Sequence, residues 1–288
     1  MANLGEGWPE GVTVRSGESL LRHTPTRTGG VCPLWVVVHR RSSLIPTLER
    51  LKETDRGWAA FGACTRTMVR DGGLSTAALR LGHEFSGIEV RATETSNEDT
   101  ARWTVGASTP LPMLARKMAD HGYEVPDGWA GDPGTLGGLW SVRDPSENQA
   151  LLHFVESVEG VHSGKYRWQP AEKTSKKARL VTAFTIRMRL KEPAVLWEEA
   201  FLSSVGDYTE WFRGPGELET RRAMLRRTLM SGTRLRGVLL PSDAPELLVN
   251  VGEGTSQDYW ELQKSVLTRV EQYFGVRWST RLKWKGLK

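Results

Sequence analysis

Residues 178–190 alternate between two faces more cleanly than any other stretch of this chain. Ala178, Leu180, Thr182, Phe184, Ile186, Met188 and Leu190 share one parity; Arg179, Val181, Ala183, Thr185, Arg187 and Arg189 share the other. Successive side chains of a strand point to opposite sides of a sheet. One face is therefore bound for a core, while the other sets three arginines on a rigid surface. A slip of one residue would turn the whole apolar set toward solvent, so the register is strongly specified.

The neighbouring signals extend this strand into an α+β fold with mostly antiparallel sheet, about four or five helices and two sub-domains. Leu151–Glu159 reads as a second strand, joined to the first by a long basic loop over residues 160–177. Val31–His39 is a short β-branched run, and Trp58–Arg70 reads as one further strand. Ile88–Thr93 and Ala101–Val105 flank the polar cluster Ser96-Asn97-Glu98-Asp99 and read as a hairpin. Helices are expected over 44–53, over 76–81 behind Ser75, and after Thr109-Pro110 up to Gly122. Two more are expected, one from Pro215 to Gly232 and one from Ser256 to Phe274 with Gly275 as its C′ residue.

The resulting organisation is a loop-rich arm over 1–30, an acidic-leaning α/β sub-domain over 31–121, a Gly/Pro-rich boundary over 122–148 and a basic α+β sub-domain over 149–288. Residues 1–164 hold 16 Lys/Arg against 20 Asp/Glu, and residues 165–288 hold 23 against 14. Such a split points to a polyanionic partner for the basic part. Cys32 and Cys64 are the only cysteines and form no CxxC pair, so neither a disulfide framework nor a zinc site is expected. The first residues carry no basic-then-apolar leader pattern, and no stretch approaches the roughly 18 apolar residues of a membrane span. A cytoplasmic protein, or one assembled into a particle formed there, is the expectation.

The charge has a geometry. Lys165, Tyr166, Arg167, Trp168, Lys173, Lys176 and Lys177 crowd the loop between the two strands, and Arg179, Arg187 and Arg189 lie on the strand that follows. Cations of this kind meet phosphates, and Tyr166 or Trp168 could stack on a base. Arg221, Arg222, Arg226 and Arg227 crowd one helix, which calls for bound anions or for acids from the first half of the chain. The Gly134-Thr135-Leu136-Gly137-Gly138 run has the look of a phosphate cradle but lacks the Lys-Ser/Thr of a P-loop.

Three functional readings follow. The leading one is a non-enzymatic nucleic-acid-binding protein that contacts backbone phosphates with little sequence preference, without a cofactor, and with DNA or RNA undecided. It would work within a larger nucleoprotein assembly as a homo-oligomer or beside other subunits. The second is a structural subunit of a virus or phage particle. The third is a metal-dependent nuclease in which Asp71, Glu89 and Arg91 hold Mg²⁺ and a scissile phosphate.

Overall fold

The computed structural model describes residues 7–54, 56–91, 100–141, 151–174, 180–191 and 211–287. The chain forms two compact units, each assembled from separate stretches of sequence. The first comprises Met1–Gly17, Pro33–Ala63 and Thr76–Ser204; the second comprises Glu18–Cys32, Cys64–Ser75 and Val205–Lys288.

Apart from the ends of its first two strands, one four-stranded sheet lies in the first unit, in the order β1 (Val12–Ser19), β2 (Val31–Val38), β5 (Ala77–Leu81), β3 (Trp58–Phe61). β5 runs parallel to both neighbours, with Trp35 opposite Ala78 and Trp58 opposite Ala77. Ala77, Ala78, Leu79 and Leu81 are all buried. Both faces of a central parallel strand are covered, so such a strand reads as a continuous apolar run. That explains why the helix expected over 76–81 is a strand: a run of five residues carries too little periodicity to separate the two. α1 (Arg41–Lys52) follows β2 and buries Leu44, Leu48 and Leu51.

The second sheet of this unit is antiparallel, in the order β6 (Ile88–Arg91), β7 (Thr100–Gly106), β10 (Val181–Arg189), β8 (Val155–His162), β9 (Lys165–Pro170). β10 keeps the expected alternation: Phe184, Ile186 and Met188 are buried, and Arg187 and Arg189 are exposed. β6 and β7 pair as expected, Ile88 opposite Val105, while the turn at 96–99 lies outside the described residues. The long basic loop is replaced by a tight hairpin. Its turn residues Ser163 and Gly164 both have positive φ, 48° and 74°, as a two-residue primed turn requires. α2 (Leu111–Asp120) and the short α3 (Leu136–Trp140) complete the core around Trp103, Phe184, Leu114 and Met118. α4 (Ala171–Thr174) is a single turn after β9.

In the second unit β4 (Thr67–Val69) pairs in parallel with β16 (Lys283–Lys285). The strand expected over 58–70 is thus broken. Cys64 takes a φ of 59°, a left-handed conformation that ends the extended run. β11 (Phe212–Arg213) pairs with β15 (Ser279–Thr280), and β12 (Arg234–Leu235), β13 (Val238–Leu239) and β14 (Val249–Asn250) form a small sheet. α5 (Leu218–Arg227) and α6 (Ser256–Phe274) supply the helices. α6 presents Tyr259, Leu262, Val266 and Val270 to Met68, Phe212, Leu225 and Trp278. It begins with a capping box between Thr255 and Asp258 and ends at Gly275, whose φ is 66°. Gly214 admits the Trp278 ring: a β-carbon there would sit 2.3 Å from Trp278 Cε2.

Candidate functional site

The first unit has one feature that organises a ligand site. Ligands of sheets with parallel strands bind outside the carboxyl ends of those strands. Here β2, β5 and β3 end at Val38, Leu81 and Phe61 and lead into His39-Arg40-Arg41, Gly82-His83-Glu84 and Gly62-Ala63. Gly82 lies against β2, where a β-carbon would come within 2.6 Å of His39 Nδ1; the His39 and His83 ring centroids are 5.9 Å apart. Gly62 faces α3, where a β-carbon would sit 3.0 Å from Thr135 Oγ1.

The segment before α3 is held by the loop that follows β7. The Leu136 amide donates to the Thr109 carbonyl at 3.0 Å, the Gly137 amide to Ala107 at 2.8 Å and the Leu111 amide to Gly134 at 3.0 Å. Gly134 N–H donates to Asp132 Oδ1, and Gly138 N–H to Thr135 Oγ1. These amides are consumed inside the protein, so the Gly134–Gly138 run is a packed strap and its amides form no open phosphate cradle. Thr109 sits beside it, fully buried, and its hydroxyl has no hydrogen-bond partner among the described residues.

Arg41 fixes the start of α1 next to this edge. Its amide donates to Glu84 Oε2 at 2.7 Å, and its guanidinium donates to Glu159 Oε2 at 2.6 Å. Thr182 Oγ1 donates to the same Glu159 oxygen at 2.7 Å. The Arg41 guanidinium lies 4.8 Å from the Tyr166 ring centroid, and the Tyr166 hydroxyl donates to the Arg41 carbonyl. Burial pushes the Tyr166 hydroxyl up to about 12; the Arg41 charge opposes this, and Glu159 and Glu84 reinforce it.

In the second unit strand pairing gathers cations. Phe212 lies opposite Thr280, which sets Arg213 near Arg281; the Arg281 amide donates to the Trp211 carbonyl, and the Lys283 amide to the Arg66 carbonyl. Burial lowers the Arg213 pKa, and the Arg281 and Arg66 charges lower it further. Like charges that disfavour one another in this way favour an anion placed among them. Lys285 on β16 is also pushed down by burial, against an opposing contribution from Cys64.

The residues expected from sequence fall elsewhere. Tyr166 is committed to Arg41, so it is not a base-stacking platform. Lys165, Arg167 and Trp168 lie on the edge strand β9, with Trp168 exposed. Lys173 is on α4, and Lys176, Lys177 and Arg179 lie outside the described residues. Arg187 reaches Glu156 at 3.8 Å, and Arg102 shares that carboxylate. Arg189 points outward. Arg222 pairs with Glu219 and Glu246, acids of its own unit and not of the acidic first half. Arg221 and Arg226 donate to the Gly216 and Asp243 carbonyls, and Arg227 is exposed. Asp71 accepts from the Ser256 amide, the Ser256 hydroxyl and the Gln257 amide, so it caps α6. Glu89 and Arg91 lie on β6 of the other unit. No cluster of three or more His, Cys, Asp or Glu side chains able to hold a metal occurs among the described residues.

No protein-family model matches the chain. Whole-chain relatives do. The chain is 25% identical over 281 residues to a UDP-N-acetylenolpyruvoylglucosamine reductase of Syntrophotalea carbinolica, covering 91% of each sequence. It is 23% identical over 299 residues to the reductase of the same name from Anoxybacillus flavithermus, covering 96% of this chain and 95% of that one. The crystal structure of the UDP-N-acetylenolpyruvylglucosamine reductase (MurB) from Thermus caldophilus superposes with a TM-score of 0.64 at 21% identity, over 95% of this chain and 98% of the other. The chain therefore has the MurB-like α+β fold.

These findings overturn four expectations. The relatives are named as bacterial reductases, so the nucleic-acid-binding reading, its nucleoprotein, viral-subunit and nuclease variants, and the nucleic-acid partner are set aside. The expectation of no cofactor, or of Mg²⁺, does not stand, because the relatives are named as reductases and a reduction needs a source of electrons that ordinary side chains do not supply. The physical reason is visible in the ion pairs above, where much of the positive charge is met by nearby acids. Among the described residues no helix is long and apolar enough to cross a membrane, as expected. Sequence reasoning missed Gly62, Thr109, Arg66, Arg213 and Arg281. Gly62 and Gly82 carried a signal, a glycine directly after a buried strand, that acquires meaning only once the strands are known to be parallel.

Proposed function

We propose that this chain is a flavin-dependent oxidoreductase that reduces the enol ether of a UDP-linked sugar. The observation that carries the reading is the extent of the likeness: it spans 91% or more of this chain and of the two relatives named above, and so includes both units.

The residues present fit FAD at the carboxyl edge of β2, β5 and β3. Gly62, Ala63 and Gly82, which follow these strands, carry no long side chain that would fill the edge. The buried Thr109 hydroxyl, unpartnered among the described residues, is a polar group for which a bound polar ligand gives a reason. FAD supplies two-electron hydride chemistry when bound. In the second unit Arg66, Arg213 and Arg281 would receive the diphosphate of the nucleotide sugar, because planar guanidiniums bind such oxygens in pairs. The Arg41–Glu159–Thr182 network would keep the strand ends in place while ligands come and go.

Anaerobic reduction of FAD-loaded protein, followed by addition of UDP-N-acetylglucosamine enolpyruvate, tests this. Reoxidation of the flavin with appearance of the saturated lactyl ether is expected. Flavin that stays reduced in the presence of that substrate would contradict the reading.

A further inference from the structure

We propose that the second unit docks on anionic lipid bilayers through the end of α5, with Leu229 as the side chain that enters the hydrocarbon. α2 and α6 leave their last turns through left-handed glycines, Gly122 at a φ of 72° and Gly275 at 66°. Glycine suits that position because it has no β-carbon to clash with the backbone. α5 ends at Arg227, and the left-handed residue that follows it is Leu229, at a φ of 58°. A leucine in this conformation is strained. Leu229 is also 76% exposed, so packing returns almost nothing for the strain. Neither backbone preference nor burial accounts for the residue, and strain of this kind collects where a protein acts on something else.

The surroundings of Leu229 fix the kind of partner. Arg226 and Arg227 are exposed on the last turn of α5. Arg234, also exposed, opens β12 at most about 18 Å along the chain from Leu229. Arg226 donates to the Asp243 carbonyl at 3.4 Å and Arg234 to the Arg236 carbonyl at 2.6 Å, acceptors that carry no charge. The Gly232 amide donates to the Leu240 carbonyl at 2.8 Å, which fastens the turn after Leu229 to the small sheet. Register sets Arg234 opposite Leu239 and Leu239 opposite Val249, so these three share one face of that sheet, and Val249 is 38% exposed. A projecting aliphatic side chain among arginines matches a surface that carries anions above hydrocarbon. An anionic bilayer is layered in that way: the guanidiniums meet headgroup phosphates while the apolar side chain goes below them. A soluble polyanion would satisfy the arginines and leave Leu229 without a role.

The proposal does not depend on the flavin reading. It is tested by co-sedimentation of the full chain with vesicles of phosphatidylcholine alone and of phosphatidylcholine mixed equally with phosphatidylglycerol, across a salt series. Binding to the anionic vesicles only is expected, weakening as salt rises. Leu229→Gly should lower the partition coefficient at least about tenfold, and Arg227→Gln about fivefold. Leu229→Met, which keeps an aliphatic body, should retain binding. Leu229→Gly relieves the left-handed strain, so it should melt at or above the wild-type temperature, and its loss of binding is then not unfolding. Leu229→Asn, tolerated in the same backbone region, should lose binding to the same extent. No binding to anionic vesicles at low salt would overturn the proposal. So would equal binding to both vesicle types, or wild-type binding by Leu229→Gly and Leu229→Asn, which is how a surface for a soluble polyanion would behave.

Discussion

Truncating Arg41 should be among the most damaging single changes in the first unit. Glu159 is almost wholly buried, its side chain 7% exposed, and its Oε2 takes two hydrogen bonds, from Arg41 at 2.6 Å and from Thr182 at 2.7 Å. Arg41→Leu leaves that carboxylate with the Thr182 hydroxyl alone. Removing one partner of a fully buried pair costs about 3–5 kcal/mol. The Arg41 side chain is 38% exposed, and water reaching the carboxylate in its absence places this case near or below the lower end, at about 2–3 kcal/mol. Loss of the guanidinium over the Tyr166 ring adds about 0.5 kcal/mol. The sum, about 3 kcal/mol, corresponds to a fall of about 6–12 °C in Tm. Glu159→Gln keeps hydrogen-bonding capacity and removes the buried charge, so it should cost about 1 kcal/mol. In the double variant no carboxylate is stranded. Its destabilisation should fall about 1.5 kcal/mol or more short of the sum of the two single effects. Urea denaturation of the four proteins measures this. Additive effects, or an Arg41→Leu cost under about 0.5 kcal/mol, would refute the reasoning.

Asp71 should behave as a helix cap. Asp71→Ala removes three hydrogen bonds to Ser256 and Gln257 and should cost about 1–2 kcal/mol, read as a Tm fall of about 2–8 °C. Gly214→Ala should destabilise by about 2 kcal/mol or more, because its methyl would overlap Trp278; the melting curve again reports it. Lys285→Met should raise stability at neutral pH. Burial depresses the folded-state pKa of Lys285, so the unfolded chain binds more protons between that value and the ordinary lysine value of 10.5. The charged group therefore costs stability below this window, and the advantage of the variant over wild type should shrink as pH rises through it. Arg213→Gln and Arg281→Gln should each weaken UDP binding about tenfold and flatten its salt dependence, measured by titration across a salt series.

What could be read from residues alone was local. The alternation at 178–190 emerges as β10, shortened to Val181–Arg189. The stripe Tyr259, Leu262, Val266 and Val270 with Gly275 beyond it emerges as α6, capped by Thr255 in place of Ser256. Both follow from periodicity and end chemistry, which operate within a few residues. The tight hairpin was announced by Ser163-Gly164 but hidden by the density of lysines around it. β5 was misread because Ala77–Leu81 is buried on both faces, a property of its neighbours β2 and β3 and not of its own sequence.

The candidate site was hardly legible at all. Its glycines and Thr109 come from β3, β5 and β7 and their connections, and only parallel pairing brings the strand ends to one edge. The charge split misled for a related reason. Net charge is a bulk quantity, whereas Arg222 with Glu246, Arg236 with Asp258 and Arg102 with Glu156 are local settlements that no tally by segment reveals. Arg66, Arg213 and Arg281 are far apart in sequence and meet through the pairing of β11 with β15 and the contact of Lys283 with Arg66.

The central claim is that this fold carries a flavin, and titration of flavin-free protein with FAD tests it most directly. FAD fluorescence should change saturably at one equivalent, and Thr109→Val, which keeps the shape and removes the unpartnered hydroxyl, should weaken that binding while the fold is retained. A titration with no saturable change, on protein shown to be folded, would contradict the account.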